Sequence, residues 1–406
     1  MTSSATRKRS YFANMDGLRG LFFILVFLSH GCQHYDPQLQ QHWLKPVVQF
    51  GAVHDHSLVM AFFFVMSSFL ITLLLLRESH LQGRIHIGAF YLRRLLRIWP
   101  LYVLILGIGF GLYPWLRSFG SHAYTETARL PMYLLFLQNL DWAEHPPSFP
   151  GLGVLWSLAI EEQFYLVWPV LLAVVPRRAL PYTLLAVLAA VLSWQATHSF
   201  RGFHTLTCAS DLVVGGLAAV AVFAAQQRRH PLARRWLLAV RQQPAWLVGL
   251  LYVVGVYLYR HGLHEAPAAV QPAERLLVDV LAVAVLLEQN YGRFSLFKLG
   301  NVAPLRQLGR LAYGLYMWHA VALVGVDEVF HQLAVPPSVW YGVLTRPVLA
   351  FGLSVVGAIL SFRYVELPFL RLYARLMPRP AQPEPAHERL LPAVVPAVPA
   401  VAVEIG

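Results

Sequence analysis

The chain has 406 residues, of which 57% are hydrophobic and only 13% are charged, and its mean hydropathy is +0.53. Soluble domains carry about 25% charged residues, so this composition excludes an ordinary soluble enzyme and indicates a membrane protein. The formal net charge is +12. Because the basic residues lie between apolar runs, we interpret this charge as a determinant of topology and not as a nucleic-acid-binding surface.

Apolar runs of about 18 or more residues recur along the chain. Lipid offers the backbone no hydrogen-bond partners, so each run is predicted to be a helix, and the predicted fold is an all-α, polytopic transmembrane helical bundle of about ten spanning helices. The predicted spans are residues 17–33, 58–76, 97–114, 153–175, 180–198, 205–225, 245–260, 275–290, 310–332 and 342–365. Residues 131–140 are apolar but too short to cross, which indicates a re-entrant or interfacial segment.

The distribution of Lys and Arg indicates the orientation. Arg7, Lys8 and Arg9 precede the first span, and with this end inside, the predicted inner segments hold about three times as many basic residues as the outer ones. We therefore expect a protein integral to the cell (inner) membrane with both termini in the cytoplasm. The expected organisation is a cytoplasmic N-terminal segment (1–16), a transmembrane domain (17–370) and a largely disordered, Pro-rich cytoplasmic tail (371–406).

The first span carries Asp16, Arg19 and His30 on one face, because separations of eleven and fourteen residues return nearly to the same side of an α-helix. Arg19 and His30 are about 16 Å apart along the helix axis and cannot touch. A histidine inside the hydrocarbon core of the membrane is energetically costly, which suggests that His30 has a function. The alternative is a structural hydrogen bond to another helix. An imidazole is the usual general base for activating a hydroxyl.

A second polar group opens the third predicted span. Arg94 and Arg97 are three residues apart and share a helix face, next to Arg93 and level with Arg19 at the inner surface. Taken alone, these arginines would be explained by positive-inside anchoring. Arginine suits bidentate recognition of phosphate, so together with Arg19 the group indicates a site for a phosphorylated cytoplasmic ligand.

Two adjacent glutamates, Glu161 and Glu162, lie within the apolar run of the fourth span. Intramembrane carboxylates must be paired, protonated or hydrated, and because adjacent helical residues point about 100° apart, at most one is expected to face a given cavity. One of them could orient a catalytic histidine or bind acceptor hydroxyls, and structural pairing is the alternative. His319, in the ninth span, could line the same cavity or be structural.

These residues belong to six short motifs, and their order is that of the acyltransferase-3 family of membrane O-acyltransferases, which the chain resembles from about Asp16 to Leu370. The motifs are Asp16-Gly17-Leu18-Arg19-Gly20 with His30; Phe62 to Thr72; Arg94 with Arg97; Leu155 to Tyr165; Tyr313 to His319; and Val365 to Phe369. Each motif alone is weak, but six in order are a strong signal.

The resemblance implies transfer of an acyl group, often acetyl, from acyl-CoA on the cytoplasmic side to a hydroxyl of a saccharide or saccharide-bearing acceptor, with His30 as the base. From the residues and the resemblance together, we assign catalysis to His30, Glu162 and Asp16; donor binding to Arg19, Arg93, Arg94 and Arg97; and acceptor or cavity lining to Trp156, Ser157, Glu161, Tyr165 and His319. We expect acyl-CoA, in particular acetyl-CoA, as co-substrate, with no permanently bound cofactor and no metal.

Two departures from the family pattern lead to further expectations. This chain has Ser68 where the family usually has glycine, and we expect the larger serine side chain to loosen helix packing. The stretch before Asp211 lacks the arginine found in many members, which puts an acceptor contact there in doubt.

The alternative functions are a proton-coupled transporter and a non-catalytic glycan-binding or export protein. The chain shows no internal repeat of the kind common in transporters, and it retains Arg19 and His30.

Overall fold

The computed structural model describes residues 13–31, 56–119, 124–198, 203–227, 230–261, 270–334, 338 and 340–376. Regular secondary structure in these ranges is helical and includes no strand, so the predicted all-α fold is confirmed. The helices used below are α1 (Ala13–Gly31), α2 (His56–Gln82), α3 (Ile87–Gly107), α4 (Trp156–Val174), α5 (Leu180–Thr197), α6 (Thr205–Gln226), α7 (Pro231–Arg241), α8 (Ala245–His261), α9 (Gln271–Tyr291), α10 (Ala303–Arg310), α11 (Ala312–Gln332), α12 (Arg346–Ser361) and α13 (Leu367–Leu376).

Every predicted span coincides with a helix, but the predicted number of crossings is not confirmed. Among the described residues, six helical stretches are long and apolar enough to span a membrane, or seven if α7 and α8, which meet at an angle of 85°, form one broken span. Helices α1, α9 and α11 do not meet that standard, because side chains such as Arg19, Asp279 and His319 interrupt their apolar sequences. Hydropathy alone therefore does not decide whether these three helices cross.

The boundaries differ from the predicted ones in three places. The segment predicted as too short to cross forms two short helices, Leu130–Leu134 and Gln138–Asp141, as its length requires. α1 begins at Ala13, four residues before the predicted start. α13 continues to Leu376, so residues 371–376, predicted to open a disordered tail, are helical. The rest of that tail and residues 1–12 lie outside the described residues, and their predicted organisation stays a prediction.

Helix α1 is enclosed by apolar side chains on two sides. Phe22 and Val26 belong to a large cluster to which α2, α3, α4, α6 and α9 contribute. Phe23 and Phe27 pack instead with residues of α11 and α12. The polar side chains of α1 are therefore held on a helix inside the bundle, where they are costly unless they have partners.

Glycines bring α1 into close contact with the segment Leu299–Arg310. A Cβ atom at Gly17 would collide with the backbone of Leu299, and one at Gly20 would overlap the carbonyl oxygen of Leu305. Gly309 makes the reciprocal approach, since a Cβ atom there would overlap the backbone of Asp16. Small residues let helix backbones approach closely, so the motif glycines fix the end of α1 that carries Arg19.

Ser68 does not loosen the packing of α2, contrary to expectation. It is fully buried, and its hydroxyl donates to the carbonyl oxygen of Leu212 on α6. The glycine needed for close packing lies on the opposite helix, where a Cβ atom at Gly215 would collide with the backbone of Val65. The two helices therefore pack closely without a glycine at position 68, because α6 supplies it.

Candidate active site

Three arginines from α1 and α3, Arg19, Arg94 and Arg97, form one end of the site and are here called the arginine cluster. Arg97 lies close enough to the other two for their charges to repel, and Glu366 adds a charge of opposite sign. A π-helical turn at Phe362–Glu366 brings Glu366 to this position, where it is 5% exposed. The Arg97 side chain is nevertheless exposed to solvent. Like charges held this close favour an anionic ligand.

Asp16 and Arg93 each have a side-chain partner in the structure, and their predicted catalytic and donor-binding roles stay predictions. The Asp16 carboxylate lies 3.4 Å from the Arg19 guanidinium, and the helix separates it from His30 by about 21 Å, so it does not contact the histidine. Nε and Nη2 of Arg93 lie 3.3 and 3.1 Å from the hydroxyl of Tyr373 on α13. Arg93 is therefore directed to α13 and away from the arginine cluster.

Tyr165 connects the arginine cluster to α4. The guanidinium carbon of Arg94 lies 4.6 Å from the centre of the Tyr165 ring, a cation–π contact. The Tyr165 hydroxyl donates to Glu161 at 2.5 Å and lies 3.0 Å from the hydroxyl of Ser67. Because a phenol has a single proton, Ser67 must donate in the second contact. Glu161 is thus joined to Arg94 through one aromatic side chain.

Glu162 has a different environment from its neighbour. Its Oε1 atom is buried and has no hydrogen-bond partner among the described residues. Tyr102 and Tyr313 lie close enough to interact with its charge, but the Tyr313 hydroxyl donates to the carbonyl oxygen of Ile98 at 2.6 Å. Leaving a buried carboxylate oxygen without a partner is costly, so Glu162 has the capacity to accept a hydrogen bond from a ligand.

Helices α4 and α11 meet where Ser157 contacts Tyr316. The Tyr316 hydroxyl donates to the carbonyl oxygen of Val154 at 2.6 Å and lies 2.6 Å from the Ser157 hydroxyl. Tyr316 has only one proton to donate, so Ser157 donates to Tyr316, and this engaged proton argues against a nucleophilic serine. The neighbouring Trp156 packs its ring against Phe203, with 4.5 Å between ring centres.

His30 and His319, which lie on different helices, contact each other. Nδ1 of His30 lies 2.9 Å from Nε2 of His319, and the two rings are 23° from parallel. His319 is fully buried, and its Nδ1 lies 2.6 Å from the carbonyl oxygen of Tyr316. The sequence allows either cavity lining or a structural role for His319, and the contact makes it a direct neighbour of His30.

Arg346 holds the end of α1 and was missed by sequence reasoning. It is 6% exposed, and its Nη1 donates to the carbonyl oxygen of Gly31 at 2.7 Å. The last carbonyls of a helix have no partner within it, so Arg346 caps α1 directly after His30. In the sequence Arg346 was visible only as a basic residue at the start of the last predicted span.

Asp211 has an arginine partner after all, and it comes from a different helix. Nε and Nη2 of Arg275 on α9 lie 2.7 and 2.6 Å from the two carboxylate oxygens of Asp211, which is fully buried. Asp279 on the same helix is also fully buried and close to this pair. Asp211 is therefore paired, although the residues that precede it in the sequence supply no arginine.

Among the described residues, one group could hold a metal ion: Asp141, Glu144 and His145, whose ligand atoms lie within 4.8 Å of one another. Nε of Arg129 donates to Asp141 at 3.0 Å, and this guanidinium, helped by His145, holds the pKa of the Asp141 carboxyl below its usual value. Because Asp141 already has a cationic partner, the group is a poor metal site. That the chain binds no metal stays a prediction.

The side chains described above follow one another across the bundle and are here called the polar line: the arginine cluster, Tyr165 with Glu161, Tyr316 with Ser157, and His319 with His30. The charge of Glu161 acts on Tyr316. This interaction links the half of the polar line that holds the arginine cluster to the half that holds the two histidines. A cationic end and an imidazole pair are thus connected by polar groups inside an apolar bundle. This arrangement has the parts needed to hold a long anionic substrate and to remove a proton at its far end.

All residues of the polar line lie in the part of the chain that matches one known protein family. The sequence profile of a family described as an acyltransferase domain matches residues 12–363. The chain belongs to the acyltransferase-3 family. The resemblance inferred from the six motifs is confirmed. No solved structure matches it.

Several curated relatives of this family member are O-acetyltransferases by name. The peptidoglycan O-acetyltransferase OatA of Listeria monocytogenes serovar 1/2a is 27% identical over 386 residues, which cover 91% of this chain and 57% of the relative. The O-acetyltransferase OatA of Staphylococcus aureus strain NCTC 8325 is 25% identical over 386 residues, covering 88% and 57%. A putative O-acetyltransferase of S. aureus strain COL is 23% identical over 380 residues, covering 89% and 58%. The chain therefore spans less than two thirds of the length of these relatives.

Proposed function

We propose that this acyltransferase is a membrane O-acetyltransferase that moves an acetyl group from acetyl-CoA, bound from the cytoplasmic side, to a hydroxyl of a saccharide or saccharide-bearing acceptor, with His30 as the general base. The observation that carries the proposal is the polar line, which joins a cationic end to an imidazole pair. Family membership favours this function over the transporter and the non-catalytic glycan-binding protein.

The arginine cluster supports the donor end of the proposal. CoA carries phosphate groups, and three guanidinium groups supply charge and forked donors that suit phosphate. Arg19 and His30 are about 16 Å apart along α1, a distance that the pantetheine arm of CoA would bridge between phosphates and thioester. Asp16 would keep Arg19 oriented through the 3.4 Å contact between their side chains, in place of the direct catalytic role expected for it.

At the other end, His30 would take the proton of the acceptor hydroxyl while the hydroxyl oxygen attacks the thioester carbonyl. A carbon–oxygen bond forms, the carbon–sulfur bond breaks, and the proton passes from the imidazole to the CoA thiolate. The products are an O-acetyl ester and CoA, so the reaction needs no redox partner. General-base assistance of this kind contributes about 10²–10⁴ in rate.

Glu162 is proposed to assist catalysis by accepting a hydrogen bond from the acceptor. Its buried Oε1 has no partner among the described residues, whereas Glu161 is engaged by Tyr165. Glu161 is joined to Arg94 through Tyr165, which supports a role at the donor end instead. The acceptor class rests on the relatives, one of which is named for peptidoglycan, so peptidoglycan fragments are the first acceptor to test.

The test uses purified protein in lipid vesicles with radiolabelled acetyl-CoA and soluble peptidoglycan fragments. We expect an alkali-labile acetyl ester on the saccharide, and no ester with the His30→Ala variant. The control is His331→Ala, because His331 is an exposed histidine near the end of α11. Transfer by His30→Ala at the parent rate, or no transfer by the parent protein to any saccharide, would contradict the proposal. Vesicles of both orientations test whether acetyl-CoA is used only from the side of the arginine cluster.

A further inference from the structure

The hydrogen bonds of His319 fix which of its ring nitrogens carries a proton. A carbonyl oxygen only accepts hydrogen bonds, so the 2.6 Å contact between Nδ1 of His319 and the carbonyl of Tyr316 places a proton on Nδ1. His319 is fully buried, and burial favours the neutral imidazole over the cation. Nε2 of a neutral His319 then carries a lone pair and acts as an acceptor.

The same reasoning extends to His30. Its Nδ1 lies 2.9 Å from the accepting Nε2 of His319, so Nδ1 of His30 must be the donor. A neutral imidazole has one N–H group, which leaves the lone pair of His30 on Nε2. The tautomer of one histidine is thus set by a second histidine on another helix.

The partner that sets this tautomer is itself held in place. Tyr316, whose carbonyl oxygen contacts His319, is tied to α4 because its hydroxyl donates to Val154 and accepts from Ser157. Both contacts lie within one turn of α11 from His319. The orientation of the His319 ring therefore follows from the way α11 packs against α4.

We propose, on the basis of the proposed function, that His319 is a positioning residue that holds His30 in the tautomer whose Nε2 atom removes the proton from the acceptor hydroxyl. When Nε2 takes that proton, His30 becomes a cation, and its Nδ1–H···Nε2 bond to His319 becomes charge-assisted and stronger. His319 thus stabilises the charge that forms during the reaction without touching either substrate. Any second group acts in this way when its hydrogen bond fixes the tautomer of a histidine base.

Two substitutions at the same position separate this role from a packing role. In His319→Gln, the amide oxygen can still accept from Nδ1 of His30, whereas His319→Met offers only a weakly accepting sulfur. We expect His319→Met to lower kcat about 100-fold with KM for acetyl-CoA changed by less than about twofold, and His319→Gln to stay within about tenfold of the parent. Parent-like kcat in His319→Met, or equal losses in the two variants, would overturn the proposal.

A second measurement leaves His319 intact and so does not depend on the folding of its variants. Replacement of His30 by Nε2-methylhistidine blocks the proposed basic nitrogen while keeping the N–H that faces His319. We expect acetyl transfer to fall to the level of His30→Ala. Turnover above about one tenth of the parent value would show that Nε2 is not the base. Absence of transfer by the parent protein would instead defeat the proposed function, so the two failures are distinguishable.

Discussion

Arg346 and Gly31 are joined by a 2.7 Å hydrogen bond from Nη1 of the arginine to the carbonyl oxygen of the residue that follows His30. The same guanidinium contacts Asp327 on α11 through Nε at 2.6 Å and Nη2 at 2.8 Å. One side chain at the start of α12 therefore connects the two helices that carry the imidazole pair. The relative position of His30 and His319 depends on this arginine, which lies outside the polar line.

Removal of this connection is expected to affect both stability and catalysis. Arg346→Met leaves the Gly31 carbonyl uncapped and Asp327 without its guanidinium, which we expect to cost about 2 kcal/mol. Because the end of α1 would then move relative to α11, we expect kcat to fall about tenfold as well. Thermal unfolding in detergent and the acetyl-transfer assay measure the two effects.

The matched control breaks a second ion pair of α11. Arg117 contacts Glu328 at 2.8 Å, but both side chains are about one third exposed, at 34% and 32%. Exposed pairs contribute about 0–1 kcal/mol, so Arg117→Met is expected to leave stability and kcat nearly unchanged. Equal effects of Arg346→Met and Arg117→Met would show that the contact with Gly31 is unimportant.

The arginine cluster is expected to determine affinity for the donor. Lysine keeps the charge but loses the forked guanidinium, so Arg94→Lys and Arg97→Lys should each raise KM for acetyl-CoA about tenfold while changing kcat less. Arg93→Lys is the control on the same helix, since Arg93 contacts Tyr373. Steady-state kinetics at varied acetyl-CoA concentration measure KM and kcat of the variants. An equal rise in KM for Arg93→Lys would argue for a general effect of positive charge.

The two glutamates of α4 are expected to affect different kinetic parameters. Glu161→Gln removes the negative charge joined to Arg94 through Tyr165 and should change KM for acetyl-CoA. Glu162→Gln weakens the hydrogen-bond acceptor proposed to contact the substrate hydroxyl and should lower kcat at least tenfold. This loss corresponds to an activation barrier raised by about 1.4 kcal/mol or more. Kinetics with each substrate varied in turn tests the separation. A loss of kcat confined to Glu161→Gln would reverse the assignment.

The close packing of α1 is expected to tolerate no side chain at Gly20. A Cβ atom there would overlap the carbonyl oxygen of Leu305, so Gly20→Ala should destabilise the fold by about 1–3 kcal/mol, as overpacking does. Gly107→Ala is the helical control, because a Cβ atom at Gly107 meets nothing within 4 Å. It should be neutral or stabilising by up to about 1 kcal/mol. Thermal unfolding of both variants in detergent makes the comparison, and similar midpoints would contradict the packing argument.

Much of the fold and part of the candidate site could be predicted from the sequence. The helices coincide with apolar runs, and the common face of Asp16, Arg19 and His30 follows from their spacing. Both features are local, because the hydrogen bonds of an α-helix join residues four apart and set a fixed rotation per residue. The number of crossings was not predictable in this way, since the polar residues that mark the site also lower the hydropathy of their helices.

Only the tertiary structure decided which of these residues meet. His30 contacts His319 across 289 positions, Asp211 receives Arg275 from another helix, and Arg93 turns to α13. Glu161 and Glu162 are neighbours in sequence but differ in partners, because adjacent residues face different helices. Spacing fixes the face of a helix on which a residue lies, but the helix that packs against that face is chosen by shape complementarity among segments far apart in the chain. For this protein, the sequence by itself determined the polar face of α1, and the packing of α11 and α12 determined what His30 touches.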